Sequence, residues 1–380
     1  MKNKRKLLYV VTSYRAYILI EELIESFTYD FDVYLISSYS KNLENKCKKN
    51  GIKYFSTNMK RGYSLFFDLC SFIHSFYLLL KIKPDIINFS TPKASLIYSI
   101  NSMLIGTKHR IYLIRGFKHE GLKGIRRLIQ IFSEIICCKS STKIIALSQS
   151  VLKLAVNLKL TDKDKISVIG PGGSGTISKL FYPISKKDKF HLRRSFGIKD
   201  HFFIYGFCGR IIPRKGIEEL VETFIQINNL FRDTKLIICG RFEKSQKINP
   251  RIFSLIKSHQ NIIKVKEMDH RKLVNFYQML DLFVMPSHGE GFGNVLVEAA
   301  MCGIPIVTCK ATGTVDAVKE DFNATLVKIK DIKVLREILL SYKHNNQLFQ
   351  IHSKNSLIWS AQFDRNKIAI EWQKLYRSLK

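Results

Sequence analysis

Two glutamates, Glu290 and Glu298, lie within a glycine-rich segment that covers residues 283–307. The segment predicts a strand, a glycine-rich turn, a helix that starts near Asn294, a glycine stop and a second strand. Gly293 allows a ligand to approach the backbone closely, and the free N–H groups at the start of a helix bind anions. Because Glu290 lies in the turn and Glu298 lies one turn into the helix, both carboxylates can face a ligand held there.

The ligand of such a site would combine phosphate with hydroxyl groups. A diphosphate suits the start of the helix, whereas carboxylates accept hydrogen bonds from hydroxyls. A nucleotide-sugar carries hydroxyls on both sides of its diphosphate, in the ribose and in the sugar. The segment therefore predicts a nucleotide-sugar site. The alternative is an ordinary Rossmann-type strand, turn and helix whose two acids are solvated.

A basic segment, residues 207–216, follows the first strand predicted in the C-terminal half. Ligands of α/β sheets bind beyond the carboxyl ends of the strands, which places Arg210 and Lys215 beside the Gly293 turn if both segments belong to one sheet. Cations in that place would neutralise the charge that builds on a diphosphate leaving group. Arg214 belongs to the same segment, and the alternative for it is a solvated surface charge.

Short β-branched runs alternate with longer helical patterns along the chain, which is typical of parallel-sheet α/β folds. With 380 residues the chain suits two Rossmann-like domains. Turn-forming residues place their boundary near Pro183, which gives an N-terminal domain 1–183, a C-terminal domain 184–362 and a last helix, 363–380, whose candidate packing partner is the first domain. The predicted strands are residues 7–11, 33–37, 86–89, 110–114, 143–147 and 167–169 in the first half, and 203–208, 236–239, 262–265, 283–285 and 304–307 in the second.

The chain is strongly basic, with 62 Lys and Arg against 31 Asp and Glu and a net charge of +31. Such a charge attracts nucleic acid, an anionic membrane surface or a phosphate-bearing substrate, and a codon bias towards lysine is the alternative explanation. The eight cysteines form no C-x-x-C pair and predict buried thiols in a reducing compartment. The longest apolar run, residues 65–80, is too short to span a membrane, so we expect a cytoplasmic protein.

Residues 203–310 resemble the donor domain of glycosyltransferase family 4, whose GT-B fold has two Rossmann-like domains facing each other across a cleft. The resemblance rests on Glu-x7-Glu, on G-R-x4-K-G and on M-L-D-L-F-V-M-P-S at 279–287. The first half resembles the family more loosely, at T-P-K-A (91–94), I-R-G-F-K-H-E (114–120) and residues 170–183. These stretches are similar to the subgroup that builds bacterial capsule, exopolysaccharide and O-antigen.

The resemblance implies a retaining, metal-independent hexosyltransferase with no cofactor. Its donor would be a nucleotide-sugar and its acceptor an undecaprenyl-diphosphate-linked oligosaccharide. Arg210 and Lys215 would hold the donor diphosphate, Glu290 would contact the transferred sugar and Glu298 would bind the ribose. The remaining donor-binding positions implied are those of the glycine-rich turn and the start of the helix: Phe292, Gly293, Asn294 and Val295.

The acceptor side departs from the family. Many relatives have a glycine pair after the first strand, where this chain has Arg15, whose charge is a candidate substitute for backbone contact. Many also have a histidine before Gly116, where this chain has Arg115, while His119 is displaced. Arg115, His119 and Arg15 are therefore the acceptor-side candidates. The alternatives are a structural role for Arg115 and an ordinary loop position for His119.

Residues 118–139 form an amphipathic pattern with a basic edge at Lys123, Arg126 and Arg127. The hypothesis is that this helix and the basic N-terminus attach the first domain to anionic lipid on the inner face of the bacterial cytoplasmic membrane. The alternative is a helix that covers the sheet. Two competing functions are a sugar-nucleotide epimerase on the same fold and a nucleic-acid-binding protein. No RNA or DNA motif supports the second, so we expect no nucleic acid partner.

Overall fold

The computed structural model describes residues 4–17, 21–59, 65–117, 121–122, 124–176, 178–243 and 245–379. The side chains of residues 15, 21, 22, 65 and 270 lie outside the described part. The chain divides into two compact units. The first consists of Met1–Ser174 with Arg365–Lys380, and the second of Gly175–Asp364.

The first unit is built on a parallel sheet of seven described strands in the order β3-β2-β1-β4-β5-β6-β7. The strands are β1 (Lys6–Val10), β2 (Asp32–Ser37), β3 (Lys53–Ser56), β4 (Ile86–Phe89), β5 (His109–Ile114), β6 (Lys143–Ala146) and β7 (Ile166–Val168). The helices are α1 (Tyr14–Tyr17), α2 (Glu21–Ser26), α3 (Lys41–Lys49), α4 (Leu65–Ile82), α5 (Pro92–Leu104), α6 (Gly124–Ser140) and α7 (Gln149–Asn157), with α16 (Arg365–Ser378) at the end of the chain.

Two layers of helix cover this sheet. Helices α4, α5 and α6 lie side by side, and the core on that face includes Phe89, Tyr98 and Ile144, all fully buried. Side chains of α16 pack against the strands of this unit. The Tyr376 hydroxyl contacts the Tyr9 hydroxyl and accepts a hydrogen bond from the Asn88 side-chain amide at 2.9 Å. The last helix therefore contributes to the core of the first unit.

The second unit is built on a parallel sheet of six described strands in the order β10-β9-β8-β11-β12-β13. The strands are β8 (Phe203–Cys208), β9 (Thr234–Cys239), β10 (Ile262–Val265), β11 (Leu282–Met285), β12 (Ile306–Cys309) and β13 (Ala324–Val327). The helices are α8 (Lys186–Ser195), α9 (Ile217–Leu230), α10 (Pro250–Ser258), α11 (His270–Met279), α12 (Asn294–Met301), α13 (Thr314–Ala317), α14 (Ile332–His344) and α15 (Asn346–Ser360).

The strand order of the second sheet reverses between β8 and β11. The chain leaves β8 towards one edge of the sheet and leaves β11 towards the other. Loops at such a reversal diverge and leave room between them, which is why ligands of open α/β sheets bind there. The two segments singled out by sequence, 207–216 and 283–307, follow these two strands.

The units divide after Ser174, earlier in the chain than the predicted boundary at Pro183. The reason is that Phe181 already packs on α11, where its ring centroid lies 5.7 Å from that of Tyr277. The second unit then continues as far as Asp364, and α16 belongs to the first.

Among the described residues, no helix is both long enough and apolar enough to cross a membrane. Seven of the eight cysteines are buried and Cys70, on α4, is exposed. All eight are free thiols.

Candidate active site

The loops that follow β8 and β11 touch at the reversal point of the second sheet. Gly216 has a positive φ of 71°, and a Cβ there would lie 2.0 Å from the Pro286 carbonyl oxygen, so only glycine permits this approach. The His288 N–H donates to the Arg214 carbonyl at 2.9 Å. The predicted proximity of the two segments is therefore present, and it depends on the backbone.

Lys215 and Glu290 form an ion pair across these loops. Glu290 Oε1 accepts hydrogen bonds from the Lys215 ammonium and, at 2.7 Å, from the Ser287 hydroxyl. The pair is largely buried, with 17% of the Lys215 side chain and 14% of the Glu290 side chain exposed. Glu290 Oε2 accepts no hydrogen bond from any residue that the structure describes, so it is available to a ligand hydroxyl.

The surroundings of Glu290 keep its carboxylate ionised. Burial by itself would raise the pKa of Glu290, but the charge and hydrogen bond of Lys215 outweigh it. The Ser287 hydroxyl and the charge of Arg214 act in the same direction, and the net pKa is lowered. The site therefore presents a negative oxygen and a positive ammonium side by side.

A third loop, after β12, fixes the backbone of Glu290. The Glu290 N–H donates to the Thr312 carbonyl at 2.8 Å. Gly313 has a φ of 78°, and a Cβ there would lie 2.4 Å from the Glu290 carbonyl oxygen. The sequence did not point to this loop. Its contacts with Glu290 are made by the backbone, and backbone contacts leave no pattern of side chains in a sequence.

Glu298 lies in the second turn of α12 and is 6% exposed. Its Oε2 accepts a hydrogen bond from the Tyr277 hydroxyl of α11 at 2.7 Å. Burial raises the pKa of Tyr277, and the charge and hydrogen bond of Glu298 raise it further, so the phenol stays protonated and donates. Cys208, the last residue of β8, is close to both Tyr277 and Glu298. The Glu298 carboxylate therefore lies beside the reversal point of the sheet.

The start of α12 has backbone N–H groups without an acceptor within the helix, which makes it a candidate anion site. Gly293 is its N-terminal cap, with a φ of 89° that is in the left-handed region. Asn294 and Val295 are half-buried and contribute N–H groups that have no acceptor within the helix. Phe292 is 3% exposed and packs against the Phe363 ring at 5.2 Å, so its side chain is part of the core and only its backbone is open to a ligand.

The loop after β8 also contains two arginines, Arg210 and Arg214, and their surroundings differ. Arg210 is exposed and its side chain has no salt bridge to a described residue. Arg214 is half-buried and close enough to Glu290 to lower its pKa. The structure thus gives Arg214, which sequence suggested could be a plain surface charge, a place in the electrostatics of the site.

Three further residues were missed by sequence reasoning: His288, Glu219 and Tyr277. His288 Nε2 lies 2.8 Å from Glu219 Oε1, which joins the loop after β11 to α9. Burial opposes ionisation of Glu219, but the hydrogen bond from His288 and the charges nearby leave its pKa lowered. The partner of Tyr277 is Glu298. In each pair the partners lie on different elements, at least 21 residues apart in the chain, so no local spacing signals them.

The acceptor-side candidates belong to the first unit. Arg115 follows β5, and its Nε and Nη2 are buried without a hydrogen-bond partner among the described residues. Burial lowers the pKa of Arg115 to about 10, against an opposing effect of Tyr9. Arg15 lies in α1 but its side chain is outside the described part, and His119 lies outside the described residues altogether.

Of the membrane-contact candidates, Arg126 and Arg127 are exposed in the first turn of α6, and Lys123 lies outside the described residues. Among the residues that the structure does describe, no group of three or more His, Cys, Asp or Glu side chains could hold a metal ion.

A family of proteins described as glycosyl transferases group 1 matches residues 188–357. A capsular polysaccharide biosynthesis glycosyltransferase of Staphylococcus aureus, CapM, is 32% identical over 341 residues, which are 89% of this chain and 87% of that protein. An Escherichia coli UDP-Gal:alpha-D-GlcNAc-diphosphoundecaprenol alpha-1,3-galactosyltransferase is 27% identical over 86% of this chain and 83% of its own length.

Solved structures share the architecture. Anabaena HepE, crystallised with UDP and glucose, superposes with a TM-score of 0.80 at 18% identity over 98% of this chain and 100% of its own. WaaG, a glycosyltransferase involved in lipopolysaccharide biosynthesis, gives a TM-score of 0.74 at 14% identity over 98% and 100% of the two chains. These likenesses confirm the predicted α/β fold class with two Rossmann-like sheets, the GT-B fold.

Proposed function

The chain belongs to the glycosyl transferases group 1 family and is a glycosyltransferase, and on that premise we propose that it takes a sugar from a nucleotide-sugar bound in its second unit. The acceptor in this proposal is an undecaprenyl-diphosphate-linked oligosaccharide, and the product is a bacterial surface polysaccharide, capsule or O-antigen. No metal or other cofactor takes part.

The Lys215–Glu290 pair beside the start of α12 is the observation that carries the proposal. A donor diphosphate at that helix start would meet the N–H groups of Asn294 and Val295 and the Lys215 ammonium. Glu290 Oε2, which has no described partner, would then accept a hydrogen bond from a hydroxyl of the transferred sugar. Arg210 is exposed just after β8 and supplies a second cation to the leaving diphosphate.

Glu298 is the candidate for the nucleotide ribose. Its buried carboxylate is oriented by the Tyr277 hydroxyl, which reduces the freedom it would lose on binding. Deprotonated carboxylates accept from the two hydroxyls of a ribose, and the position of Glu298 beside the end of β8 suits a nucleotide whose diphosphate lies at α12.

We propose metal independence because of the charges at the site. A divalent cation in phosphate-transferring sites stabilises the charge that develops on the leaving group, and Lys215 with Arg210 would do the same. Retention of configuration is proposed from the resemblance to glycosyltransferase family 4. We expect activity to persist in excess chelator, and loss of activity there would contradict metal independence. We expect the anomeric configuration of the product, measured by NMR, to equal that of the donor, and an inverted product would contradict retention.

The acceptor is proposed from the relatives. The Staphylococcus aureus relative is named for capsule biosynthesis, and the Escherichia coli relative for a diphosphoundecaprenol acceptor. Arg115 contributes a physical reason, because its buried guanidinium has two donor atoms without a described partner and an anionic acceptor diphosphate would satisfy them. Peripheral attachment to the anionic cytoplasmic face of the membrane, through Arg126 and Arg127 of α6, would bring the protein to that acceptor.

A donor panel tests the function. The purified protein is incubated with UDP-, GDP- and dTDP-sugars, with and without a diphosphoundecaprenol-linked saccharide, and the lipid fraction is analysed by mass spectrometry. We expect one donor to add one hexose to the lipid. Release of an epimerised nucleotide-sugar without transfer would instead support an epimerase and overturn the proposal.

A further inference from the structure

Helix α4 presents a continuous apolar stripe to the outside of the first unit. Phe66, Leu69, Ile73, Tyr77 and Leu80 recur every three or four residues and therefore share one face of the helix. Their exposed fractions lie between 47% and 71%. Large apolar side chains scattered singly on a surface need no explanation, but five in one helical register form a patch that marks an interaction site.

The buried face of α4 changes along the helix: Leu78, Leu79 and Ile82 near its end belong to the core, whereas the buried residues of its first half are small and polar. Ser71 and Ser75 are buried, and Asn101 of α5 donates to the Ser75 hydroxyl and, at 2.8 Å, to the Phe72 carbonyl. Small polar residues between helices, with large apolar residues outside, are the arrangement that helices adopt when their outer surface contacts lipid. The first half of α4 has this arrangement, with Ser71 and Ser75 buried and Phe66, Leu69 and Ile73 exposed.

A second stripe continues the same surface. Ile125, Leu128, Ile129 and Phe132 are exposed on the N-terminal half of α6. Since α5 packs between α4 and α6, the two stripes face the same way. Helices that follow parallel strands begin at the carboxyl edge of the sheet, so both stripes reach the edge at which Arg115 lies.

The charges of these three helices are complementary to an anionic surface. Their only carboxylates among the described residues are Asp68, which pairs with Lys93, and Glu134, which is buried and accepts from the Tyr112 hydroxyl. Exposed cations include Arg126 and Arg127 of α6 and Lys81 at the end of α4. A second copy bound symmetrically through this surface would bring like charges together without carboxylates to pair them.

We propose that the outer faces of α4 and of the N-terminal half of α6, together the lipid face, insert at the boundary between head groups and acyl chains of an anionic bilayer. This inference rests on the proposed function, because the proposed acceptor is carried by a membrane. It adds insertion of apolar side chains, mainly those of α4, to attachment by charge. The Arg126 and Arg127 guanidinium groups then lie at the level of the head groups.

Vesicle binding of the full chain tests the lipid face. Vesicles of phosphatidylglycerol with phosphatidylethanolamine are compared with vesicles of phosphatidylcholine, at low and at high salt. The apolar variant is Leu69→Ser with Ile73→Ser, and the charge variant is Arg126→Ser with Arg127→Ser. Leu230→Ser, at an exposed leucine of the second unit, is the matched control.

We expect the apolar variant to bind anionic vesicles at least about tenfold more weakly at both salt concentrations, because two exposed aliphatic side chains no longer leave water. The charge variant should lose about tenfold at low salt only, and the control should bind as wild type. Equal binding of the apolar variant and wild type overturns the proposal. A wild-type dimer that the apolar variant abolishes in sedimentation velocity, with vesicle binding unchanged, overturns it in favour of a second copy.

Depth of insertion gives a readout that does not depend on affinity. Tryptophan is placed in the lipid face as Ile73→Trp and in the control position as Leu230→Trp, and lipids brominated in their acyl chains are added. Quenching of the first variant well beyond wild type, and not of the second, is expected. Sugar transfer to a water-soluble, short-chain analogue of the diphosphate-lipid acceptor should stay unchanged in the lipid-face variants. Its absence in wild type with every donor of the panel would contradict the proposed function and leave vesicle binding as a separate result.

Discussion

Two charged clusters lie at opposite ends of the second sheet. At the carboxyl end, Glu290 uses only Oε1 for its described partners, Lys215 and Ser287. At the amino end, both oxygens of Asp281 are occupied. Oδ1 accepts from Lys189 at 2.9 Å, while Oδ2 accepts from Arg193 at 2.6 Å and from the Ile204 N–H at 2.8 Å.

The difference separates a structural cluster from a candidate binding site. The Arg193 guanidinium also donates to the Met279 carbonyl, so the amino-end cluster ties α8 to the starts of β8 and β11 and leaves little capacity for a ligand. The Lys215–Glu290 pair has similar burial but an unused carboxylate oxygen and a neighbouring helix start. Burial and ion pairing alone therefore do not identify a site; unused hydrogen-bonding capacity does.

The largest effect expected is on activity, at the carboxyl end. Lys215→Met or Glu290→Gln should lower kcat about 10²- to 10³-fold, because each removes a charge that acts on the diphosphate or the sugar in the transition state. Lys310→Met, in an exposed ion pair with Glu320, is the control and should retain wild-type kcat. Steady-state transfer assays measure both. Wild-type rates in the Lys215 and Glu290 variants would refute the assignment of the site.

The second-largest effect is expected on the stability of the protein, from a change in the cluster at the amino end of the second sheet. Asp281→Asn leaves the Lys189 and Arg193 cations without their carboxylate and should lower the free energy of unfolding by about 3 kcal/mol. Glu320→Gln, in the exposed pair, should change it by less than about 1 kcal/mol. Urea unfolding followed by fluorescence measures the difference. At temperatures where it is folded, the Asp281→Asn protein should keep the wild-type kcat. A lower kcat at those temperatures would mean that the amino-end cluster of the sheet is coupled to the site at the carboxyl end.

A backbone change should affect the carboxyl end without removing a charge. Gly313→Ala places a Cβ 2.4 Å from the Glu290 carbonyl oxygen, so Glu290 must move, and we expect kcat/KM to fall about 10²-fold. Gly197→Ala is the matched control, since Gly197 has a φ of 70° but nothing within 4 Å of the added Cβ. It shares the backbone strain and should keep its activity. Equal activity in the two variants would show that the position of Glu290 is not critical.

The smallest effect expected is on the acid side of the stability profile. Burial would raise the pKa of Asp281, but Lys189 and Arg193 outweigh it, so its pKa is lower in the folded protein than in the unfolded chain. A carboxyl group of this kind contributes stability above its unfolded pKa and loses it as pH falls through its folded pKa. The unfolding free energy of wild type should therefore drop between about pH 5 and pH 2 more steeply than that of Asp281→Asn. Parallel curves from urea titrations at each pH would contradict this.

Local sequence signals predicted most of the strands. The runs at 203–208 and 262–265 coincide with β8 and β10, and the predicted 283–285 lies within β11. The two strands that sequence did not predict, β3 and β13, are edge strands of four residues. In β3 no residue is fully buried, because an edge strand packs on fewer neighbours, and a half-exposed run lacks the hydrophobic pattern that marks a strand.

The sequence by itself determined the parts of the site that lie on contiguous segments. Glycines, cations and acids at fixed spacing, as in Gly216 with Lys215 and Gly293 with Glu290, identify the candidate phosphate-binding loop and its helix because those conformations depend on neighbouring residues.

The tertiary structure alone decided which of these groups meet. Tyr277 reaches Glu298, Glu219 reaches His288, and the backbone at Thr312 reaches Glu290 only because the strand order brings the ends of β8, β11 and β12 together. It also decided which large apolar side chains of α4 are exposed, since a helix that is apolar on most sides does not reveal from its own sequence which side is covered.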